Sequence, residues 1–196
     1  MKNKISILLI VIIAIVGTIL IYKHFDKKEI DKKSITKFSD EYALVDKENV
    51  FVYSNIDEVV TLLENGTGIV FMAYPECPWC QSYAKYLNEV AKENNIKEIY
   101  YLNIKHDRQI NSSKYAKLVK LLGNYLYVDD SGVSKVYAPD LTFVKNGNII
   151  AHDNETAITT SSMKIEDYWT EEAILEFKDK ITNYIREYDT TCSTCN

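Results

Sequence analysis

Apolar positions change their period along the chain, and each change marks an element. From Ile5 to Tyr22 the run is apolar for 18 positions without a charge, and at about 1.5 Å of rise per residue this nearly spans a ~30 Å hydrocarbon core, predicting a transmembrane helix over residues 1–22. Residues 23–40 are rich in charge and lack an apolar period. They are expected to form a solvated tether, with a helical continuation of the anchor as the alternative. The folded domain is then expected over residues 41–189, followed by a tail at 190–196.

Within that domain, Asn49 to Tyr53 reads as a short strand, and a helical pattern opens at Asn55 with Ile56, Val59, Val60, Leu62 and Leu63 before stopping at Gly66. Gly68 to Tyr74 is apolar throughout, as expected of a central strand covered on both faces. It runs directly into Pro75-Glu76-Cys77-Pro78-Trp79-Cys80. A helix follows to Asn94, with Tyr83, Ala84, Leu87, Val90 and Ala91 on one face, and then a strand from Glu98 to Ile104. Residues 106–138 are less regular: Tyr115 to Leu122 reads as a helix and 128–133 as a loop. Leu141–Lys145 and Asn148–His152 flank Asn146-Gly147, a strong hairpin signal. The last helix, Glu171 to Tyr188, aligns Ala173, Ile174, Phe177, Ile181, Tyr184 and Ile185 in one stripe. Strand and helix alternate at first and a hairpin comes later, so the expected fold class is α/β, a central mixed sheet flanked by helices.

Charge narrows the partners. The formal net charge is −5, and the first thirty residues carry five Lys against two acids, leaving residues 31–196 at −8. Such a surface disfavours phosphate backbones, so no nucleic acid partner is expected. The Lys2 and Lys4 start also fits a cleavable secretory signal, but no small-residue cleavage site follows the apolar run, which favours an uncleaved signal anchor. Two Lys precede the run and five follow it closely, which on the positive-inside rule points inward. The short N-terminal tail and the paired thiols favour the opposite placement: a single-pass cell-membrane protein with an extracytoplasmic domain.

The four cysteines form two C-x-x-C pairs. A thiol reacts as its thiolate, so a redox cysteine needs a lowered pKa and access to substrate. A strand running into a helix at Cys77 places that residue at the helix N-cap. There, unpaired N–H groups and the helix dipole favour an anion, and Pro78 sits where a missing N–H does no harm. Cys80 falls on the same side of the helix, within reach of a disulfide. Cys77 is expected to attack, with its sulfur open to solvent, and Cys80 to resolve, with no metal or organic cofactor. The alternative is a structural pair or half of a zinc site.

The apolar strand with Cys77-Pro78-Trp79-Cys80, together with Ala138-Pro139-Asp140-Leu141-Thr142-Phe143-Val144-Lys145-Asn146-Gly147, resembles the thioredoxin superfamily over residues 49–188. The Pro-aromatic interior of the first motif is closer to glutaredoxin-like and exported oxidoreductases than to thioredoxin itself. The general layout is also similar to bacteriocin transport accessory proteins. The resemblance implies a thioredoxin-like fold and a cis Pro139 packed beside the two sulfurs, with the backbone of Ala138 offering hydrogen bonds to an extended substrate. A trans Pro139 at a strand start is the alternative. It also implies protein or peptide thiols and disulfides as substrates, and a redox partner protein. One departure is visible: the family often carries a buried Asp six residues before the first cysteine, where this chain has Phe71. Glu76, beside Cys77, is a candidate for that proton-transfer role, or simply an acid favoured by a helix N-terminus. Trp79 reads either as a substrate contact or as an aromatic packed on the surface.

Cys192 and Cys195 lie on a short polar tail. They are an auxiliary dithiol exchanging with Cys77 and Cys80, a local disulfide, or ligands of a four-cysteine metal site that would make the protein a non-catalytic accessory or binding module, for instance for an exported peptide. His24, His106 and His152 have no ligand-like spacing and read as surface residues, so no metal site is assigned.

Overall fold

The computed structural model describes residues 33–158 and 163–190. The apolar run Ile5–Tyr22 and the Cys192/Cys195 pair lie outside the described residues. No helix among the described residues is long and apolar enough to cross a membrane.

After a helix at residues 33–41 (α1), the chain forms β1 (Phe51–Tyr53), α2 (Ile56–Asn65), β2 (Gly68–Ala73), α3 (Pro78–Glu93) and β3 (Ile99–Asn103). It continues through α4 (Lys105–Ile110), α5 (Ser113–Leu122), β4 (Asp140–Lys145) and β5 (Asn148–Asp153), then two short helices, α6 (Glu155–Ile158) and α7 (Ile165–Tyr168), and α8 (Glu171–Thr190). The five strands make one mixed sheet in the order β1-β3-β2-β4-β5. β1, β3 and β2 are parallel, while β4 runs antiparallel to β2 and β5 antiparallel to β4. This is the α/β mixed sheet with flanking helices that the pattern predicts.

Local chemistry sets the element ends. Asn55 caps α2 by accepting from the N–H groups of Asp57 and Glu58, and the Glu58 carboxylate accepts from the Asn55 N–H at 2.9 Å, a reciprocal box that satisfies otherwise orphan donors. The β4–β5 hairpin turns through Asn146 (φ 50°) and Gly147 (φ 74°), both in the left-handed region that a two-residue turn of this kind needs. Gly147 is required for a second reason. A Cβ there would lie 2.3 Å from the Glu64 carbonyl oxygen, because the hairpin tip rests on the end of α2 and the Gly147 N–H donates to Gly66.

The buried central strand divides its side chains between two cores, as the period of a strand dictates. Ile69, Phe71 and Ala73 join a core with residues of α3 and α8; Val70 and Met72 join a second with α2 and α5. The first core is heavily aromatic, with Phe71 stacked on Tyr83 at 5.6 Å between centroids and Tyr83 edge-on to Phe177 at 4.8 Å.

The domain boundary differs from the sequence expectation. The compact unit carrying the sheet begins at Ile35, and Phe38, assigned to the tether by its charged neighbours, is fully buried. Its ring stacks on Tyr42 at 4.2 Å and on Phe51 at 4.0 Å. Two aromatics four residues apart suffice to dock a helix whose other faces stay wet, a signal too sparse to show as a period.

Candidate active site

The end of β2 delivers the chain to Cys77, whose backbone is extended (φ −85°, ψ 112°) at the N-cap of α3, with Pro78 in the first helical turn. The Cys77 sulfur accepts a hydrogen bond from the Cys80 N–H at 3.2 Å. The preceding turn is tied from two sides: Cys77 N–H donates to Tyr74, and the Gln81 amide donates to the carbonyls of Pro75 at 2.8 Å and Glu41 at 2.9 Å. The end of α1 therefore braces the loop that carries the cysteine.

Both thiols are free. The Cys80 thiol donates to the Cys77 sulfur, and this is the largest influence holding the Cys77 pKa below the ordinary cysteine value; burial opposes it, while the N–H groups of Cys80 and Trp79 and the charge of Arg108 assist. Cys80 is fully buried, and its pKa is pushed well up, first by burial and then by the same hydrogen bond and the neighbouring Cys77 charge. The two sulfurs thus differ in acidity, Cys77 drawn towards its anion and Cys80 held as the neutral thiol.

The Ala138–Pro139 peptide bond is cis, and it brings the Ala138 carbonyl oxygen to 3.9 Å from the Cys77 sulfur. Ala138 also lines, with Tyr74, Cys77, Trp79, Arg108 and Tyr137, a cleft of about 590 Å³. Cys77 itself retains only 6% exposure. The open sulfur expected from the sequence is corrected to one on the wall of this cleft, because the side chains flanking it arrive from chain segments remote in sequence. Trp79 packs edge-on against Tyr168 at 5.3 Å, the packed reading, and also lines the cleft.

Glu76 is exposed, and its carboxylate pairs with Lys105 at 2.8 Å, which lowers its pKa. A carboxylate held ionised by an ammonium is a poor acceptor for a proton leaving a buried thiol. At the position the resemblance leaves without an acid, Phe71 pairs in register with Tyr101 of β3. The buried Tyr101 hydroxyl accepts a hydrogen bond from Tyr42 at 3.1 Å. Burial is the first cause raising the pKa of both tyrosines, and the charge of Cys80 adds to it. The polar groups here are therefore neutral hydroxyls.

His152 corrects a second expectation. Its side chain is buried, not on the surface, and pairs with Asp140 at 3.1 Å; His106 is exposed, and His24 lies outside the described residues. Asp140 directly follows the cis proline, is fully buried, and also accepts from Thr142 at 3.2 Å. Burial raises its pKa, with the contact to His152 opposing. Next along β5, the Asp153 carboxylate accepts from the buried Tyr83 hydroxyl at 2.7 Å and pairs with Lys180 of α8 at 2.6 Å. Together these contacts fasten α3, the hairpin that starts at the cis proline, and α8.

Sequence reasoning missed Arg108, Lys135, Tyr74 and Tyr137 as cleft residues. The nearness of Lys135 and Tyr137 to Pro139 was a usable signal; Arg108, in a six-residue helix without apolar period, offered none. Comparison with protein families and with curated proteins finds no match to this chain.

Proposed function

We propose that this protein is a thiol–disulfide oxidoreductase of the thioredoxin superfamily. It is anchored in the cell membrane through residues 5–22, faces the extracytoplasmic side, and acts on protein or peptide substrates through Cys77 and Cys80. The observation that carries this reading is the asymmetric pair at the start of α3. One sulfur is lowered in pKa by three hydrogen-bond donors and lines a cleft; its mate, buried one turn on, donates one of those bonds.

The reaction needs no group beyond the two thiols. The Cys77 thiolate attacks one sulfur of a substrate disulfide, forming a mixed disulfide and releasing the other substrate sulfur as a thiolate, which takes up a proton from water. Cys80 then loses its proton to solvent, and its thiolate attacks the Cys77 sulfur. The Cys77–Cys80 disulfide forms, the mixed disulfide breaks, and the second substrate sulfur leaves as a thiolate. Two electrons pass from the protein dithiol to the substrate. The same steps in reverse donate a disulfide, and the relative potentials of the pair and its partners set the direction.

The test uses the full-length chain with a peptide disulfide. Wild type should exchange, Cys80→Ser should accumulate mixed disulfide on Cys77, and Cys77→Ser should do neither. Undiminished exchange by Cys77→Ser overturns the proposal.

A further inference from the structure

Arg108 lines the cleft beside Cys77, on the side of the cis Pro139 loop. Its guanidinium has five N–H donors. One nitrogen, Nη1, donates to the Val136 carbonyl at 3.2 Å, and the group lies over the Tyr74 ring with its central carbon 5.5 Å from the centroid. Among the described residues no carboxylate lies within ion-pair range of it. The neighbouring cations differ: Lys105 is paired with Glu76, and Lys135 with Asp129 at 3.0 Å. Arg108 is therefore a half-buried cation, fixed at one nitrogen and stacked on an aromatic ring. Among the described residues its remaining donors meet no acceptor, and the group faces the cleft that Cys77 also lines.

We propose that Arg108 is the specificity-determining residue of the cleft, and that the preferred substrates are polypeptides carrying an acidic side chain beside their reactive cysteine. The chemistry follows from the fork. A guanidinium with free parallel N–H groups takes a carboxylate in two hydrogen bonds, and the single bond to Val136 together with the Tyr74 ring holds it in place beforehand. Tyr74, Trp79 and Tyr137 supply apolar walls for the neighbouring residues of the chain. The inference rests on the exchange reading of Cys77, and it adds to that reading which chains are exchanged.

Arg108 also favours the Cys77 anion, so any substitution slows all substrates together. The informative readout is a ratio between substrates, in which that general effect cancels. Three fluorescein-labelled peptides, identical except for Glu, Gln or Lys beside the reactive position, are compared in two arms. In the first, full-length Cys77→Ser/Cys80→Ser protein binds serine-substituted peptides, followed by fluorescence polarisation. In the second, the active protein exchanges with the same peptides as disulfides, followed by kcat/KM.

One charge-assisted contact implies about tenfold tighter binding of the Glu peptide than the Gln peptide, with the Lys peptide weaker still. Arg108→Gln should bring the Glu-to-Gln ratio to about one, and Arg108→Lys, which keeps the charge without the fork, should leave it in between. A ratio near one in the parent protein, or one that survives Arg108→Gln, overturns the inference. Exchange that proceeds equally with all three peptides overturns it while leaving the oxidoreductase reading standing. Arg108-dependent binding without exchange of any peptide refutes the oxidoreductase reading, and with it the assignment of exchange substrates, and leaves Arg108 only as a carboxylate-binding residue.

Discussion

Replacing Cys80 by Ala removes the donor that contributes most to holding the Cys77 sulfur as an anion, and leaves the backbone around it intact. The sulfur keeps the Cys80 N–H at 3.2 Å, since a backbone donor survives the substitution, and keeps the Trp79 N–H and the Arg108 charge. A hydrogen bond to an ionised group contributes about 1.5–3 kcal/mol. With other donors still in place the lower end applies, and about 1.4 kcal/mol corresponds to a tenfold change in the thiolate population at a pH below its midpoint. The iodoacetamide alkylation rate of Cys77, followed by mass spectrometry on reduced protein between pH 5 and 9, should therefore fall by about tenfold at the acidic end in Cys80→Ala. Cys80→Ser, which places a hydroxyl donor where the thiol was, should recover most of that rate. Equal rates in the Ala and Ser variants would refute the reasoning, since they would mean that the side-chain donor does not hold the anion.

The same lowered pKa links stability to pH. A thiol depressed in the folded state stabilises it fully above the ordinary cysteine value and loses that contribution as pH falls through the folded value. Reduced wild type should accordingly gain on Cys77→Ser in urea denaturation as pH rises across that window; a difference independent of pH would contradict the assignment. Lys180→Met leaves the buried Asp153 carboxylate with Tyr83 alone. Because the lysine side chain is 27% exposed, the loss should be about 2–4 kcal/mol, with Asp153→Asn restoring part of it in the double variant. Gly147→Ala combines a left-handed backbone with a Cβ driven onto the Glu64 carbonyl and should cost about 2–5 kcal/mol by thermal or urea denaturation. An Ala variant within 0.5 kcal/mol of wild type, a difference on the order of surface substitutions, would show that the hairpin tip is not docked on α2.

What could be read before folding was what depends on near neighbours. The capping box of α2, the uniformly apolar β2, the proline-opened α3 and the Asn-Gly turn are all decided within a few residues, and the strands and helices appear where those signals stand. The cysteine spacing belongs to the same class, because a separation of three on a helix places two side chains on one side whatever surrounds them. His152 shows the limit. Its alternation along β5 is visible, but its partner Asp140 lies across the hairpin and the packing that buries both comes from elsewhere, so a surface histidine and a buried histidine–carboxyl contact look alike in one dimension.

Sequence alone thus determined the period of the strands and of α2, α3, α5 and α8, and the pairing of Cys77 with Cys80, since both are properties of a short stretch of backbone. Only the tertiary structure decided the rest. It showed that α1 belongs to the core through Phe38 and Tyr42, and that Tyr42 and Tyr101 place neutral hydroxyls where the resemblance expects an acid. It also brought Arg108 and the Ala138–Pro139 loop to the cleft at Cys77. Those contacts join residues tens of positions apart, and desolvation, charge and access at a sulfur are set by whatever the sheet order brings beside it.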